Sequence, residues 1–222
     1  MKLSTFFLTA VLSLLTLPLF SQNNPGNVIS IYQTARALES QGRTREANIY
    51  YNDVVRISHD EIFRNIANRD TYTAFTWALQ RLGRYNEVIS WGERGLQLYT
   101  DEYRIIQTMG EAFFYLNDYD NSLQYLQRYI NNLPQGDRIS ISYFFTGEIY
   151  RLQRKFYLAD MAYTTAVRLQ PSIALWWFRL GQVRENSGDL VPAADAYDRA
   201  LAINPDYQAA SDSLNRVRRL AQ

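Results

Sequence analysis

Residues 143–171 read YFFTGEIYRLQRKFYLADMAYTTAVRLQP, and residues 177–205 read WFRLGQVRENSGDLVPAADAYDRALAINP. When the two stretches are aligned 34 residues apart, they carry glycine, alanine, tyrosine and proline at identical positions. The matched pairs are Gly147 with Gly181, Ala159 with Ala193, Tyr163 with Tyr197, Ala166 with Ala200, and Pro171 with Pro205. Self-similarity at a fixed period indicates a repeat architecture, in which each unit packs against its neighbours.

The same spacing continues toward the N-terminus. It is clear in Ile106-x-x-Met109-Gly110, which is followed by Pro134, and it is weaker in the two units before that. The register divides the chain into five units, which are 28–61, 69–102, 103–136, 140–173 and 174–207. Two short insertions lie between units, at 62–68 and at 137–139.

These residues resemble the tetratricopeptide repeat, whose pattern runs W-x2-L-G-x2-Y, then A-x3-F, then P. Trp177-x-x-Leu180-Gly181 matches the first element, whereas Gly92 stands where the second unit would have its aromatic residue. The resemblance implies an all-α fold, a right-handed α-solenoid of five helix-turn-helix repeats with a C-terminal capping helix in residues 208–222.

Hydrophobic periodicity supports helices independently of the resemblance. Apolar residues recur at steps of three and four in every unit, which is the mark of an amphipathic helix. Pro171 and Pro205 end the second helix of their units, because proline cannot continue a helix. Beyond Pro205, the residues Ala210, Leu214 and Val217 share one face, as expected of a helix that covers the last repeat.

The insertion at 62–68 has two interpretations. Its apolar residues Ile62, Phe63 and Ile66 favour a helix, because a loop would leave them exposed. We therefore predict that the insertion lengthens the first helix of the second unit, with Asp60 as its cap. The alternative is a loop.

The N-terminal segment predicts export. Lys2 precedes an apolar run that ends at Pro18-Leu19-Phe20-Ser21, the layout of a secretory signal, so residues 1–21 are predicted to be a signal peptide and 22–27 a flexible lead. The alternative is an uncut anchor, since residues 3–20 are barely long enough to span a bilayer. In either case the folded part is expected outside the cytoplasm, most simply in a bacterial periplasm, with secretion or signal anchoring as alternatives.

Composition narrows the function classes. The chain has no cysteine and a single histidine, His59, so thiol chemistry and multi-histidine metal cages are excluded. A net charge of +1 gives no support to nucleic-acid binding. No phosphate-binding glycine loop and no paired catalytic carboxylates occur. We therefore expect no enzyme activity, no catalytic residues, no metal and no cofactor.

Two further candidates are interpreted structurally. His59 occupies the proline place of the first unit and is predicted to end a helix at the surface. Trp177 holds a packing place of the repeat and is predicted to lie in the core, while the environment of Trp176 is left open.

In tetratricopeptide arrays, the first helices of successive units line a concave groove that receives peptide segments or partner helices. The resemblance therefore implies a set of groove residues, which are Tyr32, Arg36, Trp77, Arg81, Arg104, Phe114, Tyr115, Phe144, Arg151 and Phe178. Aromatic and arginine side chains dominate interface energetics. Each aromatic residue either faces the groove or packs between units, and the sequence leaves both alternatives open. The family's clamp for chaperone C-terminal carboxylates is not expected, because Tyr32, Arg36 and Ala74 occupy three of its places.

The leading hypothesis is a non-enzymatic extracytoplasmic scaffold that binds a protein or peptide in this groove. A second is a structural subunit of a cell-envelope assembly or a self-associating array, suggested by the 17 tyrosines and implying a possible homo-oligomer. A third is a small-ligand-binding accessory of a transporter. No stable membrane insertion is expected unless the signal stays uncut.

Overall fold

The computed structural model describes residues 27–221, which form eleven helices and no strand. The helices are α1 (Val28–Ser40), α2 (Thr44–Phe63), α3 (Arg69–Arg81), α4 (Tyr85–Leu98), α5 (Tyr103–Tyr115), α6 (Tyr119–Asn132), α7 (Ile139–Leu152), α8 (Phe156–Leu169), α9 (Ala174–Asn186), α10 (Leu190–Ile203) and α11 (Gln208–Leu220). The predicted all-α solenoid is confirmed. Successive helices form five antiparallel pairs, and α11 follows the last pair.

The helices form two layers. The first helices of neighbouring pairs contact each other, α1 with α3, α3 with α5 and α5 with α7, and α11 continues the series by contacting α9. Within the described part of the chain, successive second helices have no comparable contacts with one another. The first helices therefore line the inner, concave side of the array.

Close packing within a pair depends on a small residue opposite a large one. A Cβ atom on Gly181 of α9 would lie 2.5 Å from the ring of Tyr197 of α10, which is fully buried. Any larger side chain at this position would force the helices apart, because protein interiors have no spare volume. This contact explains why glycine and tyrosine recur together in units four and five.

The prediction for the insertion at 62–68 is wrong. Helix α2 continues to Phe63, and α3 begins only at Arg69, where the Asn68 side chain accepts hydrogen bonds from the first turn. Asp60 lies inside α2 and caps nothing, while the side chain of Phe63 is 84% exposed. The strong capping box of Asn68 and Thr71 fixes the start of α3, and it prevails over the tendency of the apolar residues to be buried.

The predicted helix end at His59 is also wrong, although the residue does lie at the surface. His59 is exposed within α2, and its ring meets Trp91 of α4 edge-on at 5.8 Å between centroids. Trp177, which is predicted to lie in the core, is only partly buried. Trp176 is buried and stacks on Phe144 at 5.0 Å, whereas Trp177 is half-buried and its indole nitrogen donates to the Pro171 carbonyl.

The predicted signal peptide at 1–21 and most of the predicted lead at 22–27 lie outside the described residues. From residue 27 to residue 221, none of the helices combines the length and the apolar character needed to cross a bilayer.

Candidate protein-binding groove

The N-terminal end of the concave side carries two aromatic rings and three arginines, which we call the N-terminal cluster: Tyr32, Trp77, Arg81, Arg104 and Arg138. These residues come from α1, α3, α5 and the turn before α7, so the curvature of the array gathers them. The rings of Tyr32 and Trp77 lie 5.1 Å apart, and the guanidinium of Arg104 lies 5.9 Å from the Trp77 ring centre. Tyr32 and Trp77 are half-buried, so each keeps part of its ring open to the groove.

Positive charge surrounds Tyr32. Burial raises the pKa of its hydroxyl, while the charges of Arg36, Arg81 and Arg138 act in the opposite direction. A cation near an aromatic hydroxyl favours acceptor groups of a ligand, because every donor of a guanidinium needs an acceptor. The N-terminal cluster is therefore suited to backbone carbonyls next to apolar side chains.

Every arginine of the N-terminal cluster is paired with a carboxylate of this chain. Arg81 bonds Glu39 of the preceding unit, and Arg104 lies 2.9 Å from Asp70 and 2.7 Å from Glu102. Arg36, at the edge of the cluster, lies 3.7 Å from Glu39. The Arg81–Glu39 and Arg104–Asp70 pairs join neighbouring units, and all of these pairs hold the arginines in fixed positions.

Arg138 belongs to a polar network that the sequence did not reveal. It donates to Gln107 at 2.8 Å and also to Glu111, which accepts hydrogen bonds from Gln80 and Gln107 as well. Glu111 and Gln107 are buried in the middle of α5. Arg138 lies in the insertion at 137–139, outside the repeat register, so no periodic pattern could point to it.

Three of the predicted groove aromatics pack against neighbouring rings. Phe178 is 7% exposed and lies against Tyr197 and Tyr207, and Phe144 stacks on Trp176. Both rings therefore pack against aromatic rings of other helices, and Phe144 remains partly exposed. Phe114 meets Phe145 of the next unit edge-on at 5.0 Å.

Tyr115 combines both roles. Its ring stacks on Tyr85 of α4 with centroids 4.7 Å apart, yet 47% of the residue remains exposed. Burial raises the pKa of its hydroxyl, and the negative charge of Glu111 raises that pKa further. Tyr115 therefore remains available to a ligand without needing to change its position.

Toward the C-terminus the predicted residue Arg151 lines a depression of about 270 Å³ between α7 and α9, which we call the arginine depression. Its lining residues are Arg151, Arg154, Phe156, Arg179, Gln182 and Asn186. Sequence reasoning found only Arg151 among the three arginines. A signal for Arg154 was present, because it stands in a turn where other units have glycine or asparagine.

Glu148 is the carboxylate that pairs with two arginines of this depression. It is 7% exposed, and it accepts a hydrogen bond from the hydroxyl of Tyr163. Arg151 donates to it at 2.8 Å, and the Nε of Arg179 lies 3.1 Å from it. Burial and the negative charge of Glu148 raise the pKa of Tyr163, which therefore stays a hydrogen-bond donor.

A tyrosine, a glutamate and an arginine recur together along the array. Tyr197 donates to Glu185, which also accepts two hydrogen bonds from Arg216 of the capping helix. Tyr51, Glu39 and Arg81 repeat the arrangement at the other end. Each set fastens one unit to the next.

No group of three or more histidine, cysteine or acidic residues with metal-binding geometry occurs between residues 27 and 221.

Comparison with known proteins identifies the repeat. Two tetratricopeptide repeat family models match the chain, one at residues 108–136 and the other at residues 153–208, so tetratricopeptide repeats are found in these two segments. The human protein O-mannosyl-transferase TMTC1 is 29% identical over 104 residues, which cover 46% of this chain and 12% of that protein. Its Mus musculus counterpart is 30% identical over 100 residues, covering 45% of this chain and 11% of that protein.

Two solved structures have the same fold. The crystal structure of MamA protein is 18% identical with a TM-score of 0.60, covering 81% of this chain and 93% of that one. A chain in the crystal structure of the APC/C hetero-tetramer Cut9–Hcn1 is 14% identical with a TM-score of 0.61, covering 88% of this chain and 43% of that one. The curated relatives are much longer than this chain, and the similarity extends over a small part of them.

Proposed function

We propose that this protein is a non-enzymatic scaffold outside the cytoplasm that binds a protein or peptide segment in its concave groove. The observation that carries the proposal is the N-terminal cluster, where the partly exposed rings of Tyr32 and Trp77 lie beside arginines fixed by carboxylates. Tyrosine, tryptophan and arginine are the residues that dominate binding energy at protein interfaces. Because the cluster is pre-organised, little conformational entropy is lost when a partner binds.

The groove can be tested by partner capture. The full chain and its Trp77→Ala variant would be immobilised and exposed to a cell-envelope extract, with Phe63→Ala as the control. Phe63 is the more exposed aromatic residue, but it lies at the end of α2, a second helix, away from the groove. We expect Trp77→Ala to lose the captured partner and Phe63→Ala to retain it. Undiminished capture by Trp77→Ala would exclude the N-terminal cluster as the binding surface.

The location outside the cytoplasm rests on the sequence of residues 1–21, with its single lysine, apolar run and polar exit. Cell fractionation followed by N-terminal sequencing of the recovered protein tests it directly. We expect the chain in the envelope or periplasmic fraction, beginning near Gln22. Recovery of the intact chain from the cytoplasm would refute the proposed location.

A self-associating assembly is the second candidate function, and one observation favours it. Tyr157 is 77% exposed and Met161 is 53% exposed, and the two lie one helical turn apart on α8. Light scattering on the full chain and on Tyr157→Ser tests this candidate. A concentration-dependent increase in mass that Tyr157→Ser removes would support it, and a monomer at every concentration would refute it.

A further inference from the structure

The turn between α7 and α8 contains a residue, Arg154, whose backbone conformation is unfavourable for its type. Three glycines and two other residues occupy the corresponding turn positions of the five units, all with positive φ: Gly42, Gly83, Asn117, Arg154 and Gly188. Glycine adopts this left-handed conformation without strain and asparagine tolerates it, whereas a long side chain does not. At 154 the fold carries an arginine with φ of 58°. A strained residue that persists at one site points to a role for its side chain.

The side chain of Arg154 lines the arginine depression with Arg151 and Arg179. Within residues 27–221 it has no ion-pair or hydrogen-bond partner for its guanidinium, so its five donors are available. It contributes nothing to joining units, unlike the arginines of the N-terminal cluster. Its location therefore favours an interaction with something outside this chain.

The charges in the depression are out of balance. Three guanidinium groups surround it, and Glu148 pairs with two of them, those of Arg151 and Arg179. Arg151 uses two of its nitrogens on Glu148, and Arg179 donates one hydrogen bond to Gln182 at 2.9 Å. The remaining donors, with the net positive charge, match a carboxylate ligand.

The polar and apolar neighbours restrict the ligand further. Gln182 and Asn186 add amide groups, and Phe156 adds an aromatic surface at the same depression. A peptide segment offers carboxylates, backbone amides and carbon side chains together. The lining of the depression comes from the C-terminal end of α7, the α7–α8 turn, the start of α8 and α9. The depression therefore lies at the edge of the concave groove, where α7 turns into α8.

We propose that the arginine depression binds glutamate or aspartate side chains of an acidic segment in the partner, with Arg154 as a specificity-determining residue. The inference rests on the proposed function and names the chemistry of the partner. It differs from a clamp for a chain-terminal carboxylate, because it needs side-chain carboxylates and no free C-terminus.

The experiment measures binding of two short fluorescein-labelled peptides to the full chain by fluorescence anisotropy. One peptide alternates glutamate and alanine, and the other alternates glutamine and alanine; both have amidated C-termini. The central variant is Arg154→Gly, which removes the guanidinium and restores the residue that the turn favours. Asn117→Gly controls for the same turn in another unit, and Arg45→Gln controls for the loss of one exposed positive charge.

We expect the glutamate peptide to bind the unaltered chain more tightly than the glutamine peptide. Arg154→Gly should weaken glutamate-peptide binding on the order of tenfold, while its urea midpoint stays equal or rises. Asn117→Gly and Arg45→Gln should bind as the unaltered chain does. The inference is overturned by equal binding of both peptides, by no measurable binding of the glutamate peptide, or by an equal loss in Arg45→Gln.

The result separates the inference from the proposed function. If Trp77→Ala loses the natural partner while Arg154→Gly binds the glutamate peptide normally, the groove remains the binding surface and the inference about its C-terminal end is wrong. If Arg154→Gly loses the peptide while Trp77→Ala retains the natural partner, the acidic-segment site exists and the N-terminal cluster is not the binding surface.

Discussion

In the N-terminal cluster Arg81, Arg104 and Arg138 each face at least one carboxylate of this chain, whereas in the arginine depression Arg151 and Arg179 share Glu148 and Arg154 has no such partner among the described residues. The same residue type therefore has two uses on one concave side. Paired arginines join units and fix the groove, and arginines in excess of carboxylates leave positive charge for a ligand.

The two regions also differ in how much aromatic surface they leave open, and here the N-terminal cluster leaves more. Tyr32 and Trp77 keep part of their rings open to the groove, while Phe178 is buried against Tyr197. Phe144 is partly exposed as well, but it packs against Tyr163 and Trp176. The N-terminal end thus offers apolar surface between balanced charges, and the C-terminal end offers charge above a packed core. A partner that spans both ends would place apolar side chains at one end and acidic side chains at the other.

The largest effect is expected from deleting a packed aromatic residue. Phe144→Ala should lower the free energy of unfolding by about 3 kcal/mol, because it leaves a cavity beside Trp176 and Tyr163. Trp77→Ala, at the open end, should lower it by less than half as much. Urea denaturation followed by circular dichroism checks the order, and a larger loss in Trp77→Ala would contradict the assignment of packed and open aromatics.

The next largest loss of stability is expected from a change at Glu148, the carboxylate that Arg151 and Arg179 share. Glu148→Gln should lower the free energy of unfolding by about 2 kcal/mol, because it weakens the bonds to Arg151, Arg179 and the buried Tyr163 hydroxyl. Glu39→Gln, whose side chain is more exposed, should cost below about 1 kcal/mol.

The same Glu148→Gln variant sharpens the comparison in binding. Removing the negative charge leaves three arginines without a carboxylate, so the affinity for the glutamate peptide should rise. Glu39→Gln should leave that affinity unchanged, because its arginine lies at the other end of the groove. A lower affinity in Glu148→Gln, in protein shown to be folded, would mean that Glu148 positions the arginines rather than competing for them.

A smaller effect, an increase in stability, is expected from a substitution in the α7–α8 turn. Arg154→Gly should raise the free energy of unfolding by about 1 kcal/mol, because the left-handed conformation is unfavourable for residues with a Cβ atom. Asn117→Gly should change it less, since asparagine tolerates this conformation. Thermal unfolding of both variants measures the difference, and destabilisation by Arg154→Gly would show that the side chain supports the fold.

The smallest expected effect is a dependence of the unfolding free energy on pH through Glu185, which links α9 to the capping helix α11. The hydrogen bonds from Arg216 lower the pKa of Glu185, burial opposes this, and the Tyr197 hydroxyl lowers the pKa further. A lowered folded-state pKa means that the stabilisation is complete above the carboxyl's ordinary pKa and is lost as the pH falls through the folded-state value. Glu185→Gln should therefore cost roughly 0.5 kcal/mol at neutral pH.

The pH dependence itself provides the check. Unfolding free energies of the unaltered chain and Glu185→Gln should differ above the ordinary carboxyl pKa and converge as the solution becomes more acidic. A difference that stays constant from neutral to strongly acidic pH would show that the ion pair with Arg216 contributes nothing to stability.

The repeat register predicted the helix pairs because glycine and tyrosine meet in the same contact in each strong unit. Gly181 faces Tyr197, and the spacing that brings them together is visible in the sequence. The insertion at 62–68 was mispredicted for a physical reason. Its apolar residues suggested burial, but hydrogen bonds at Asn68 and Thr71 set the start of α3.

Much of the candidate site depends on contacts between units, which a pattern within one unit does not encode. The pairing of Arg81 with Glu39 and of Arg138 with Glu111 joins residues far apart in sequence. The burial of Trp176, whose environment the sequence left open, has the same origin, because its ring packs against Phe144 of the preceding unit. The sequence could name residue types for the groove, and only the packing of neighbouring units decides which remain open.

Site-specific photocrosslinking tests the central claim, that the concave side holds a protein partner, most directly. Benzoylphenylalanine would replace Tyr32 in the N-terminal cluster, Gln182 in the arginine depression, and Phe63 on the outer layer as the control, each in the full chain expressed in its native cells. We expect the same partner to be crosslinked from Tyr32 and from Gln182 and none to be crosslinked from Phe63. A partner crosslinked from Phe63, with none from either groove position, would contradict the central claim.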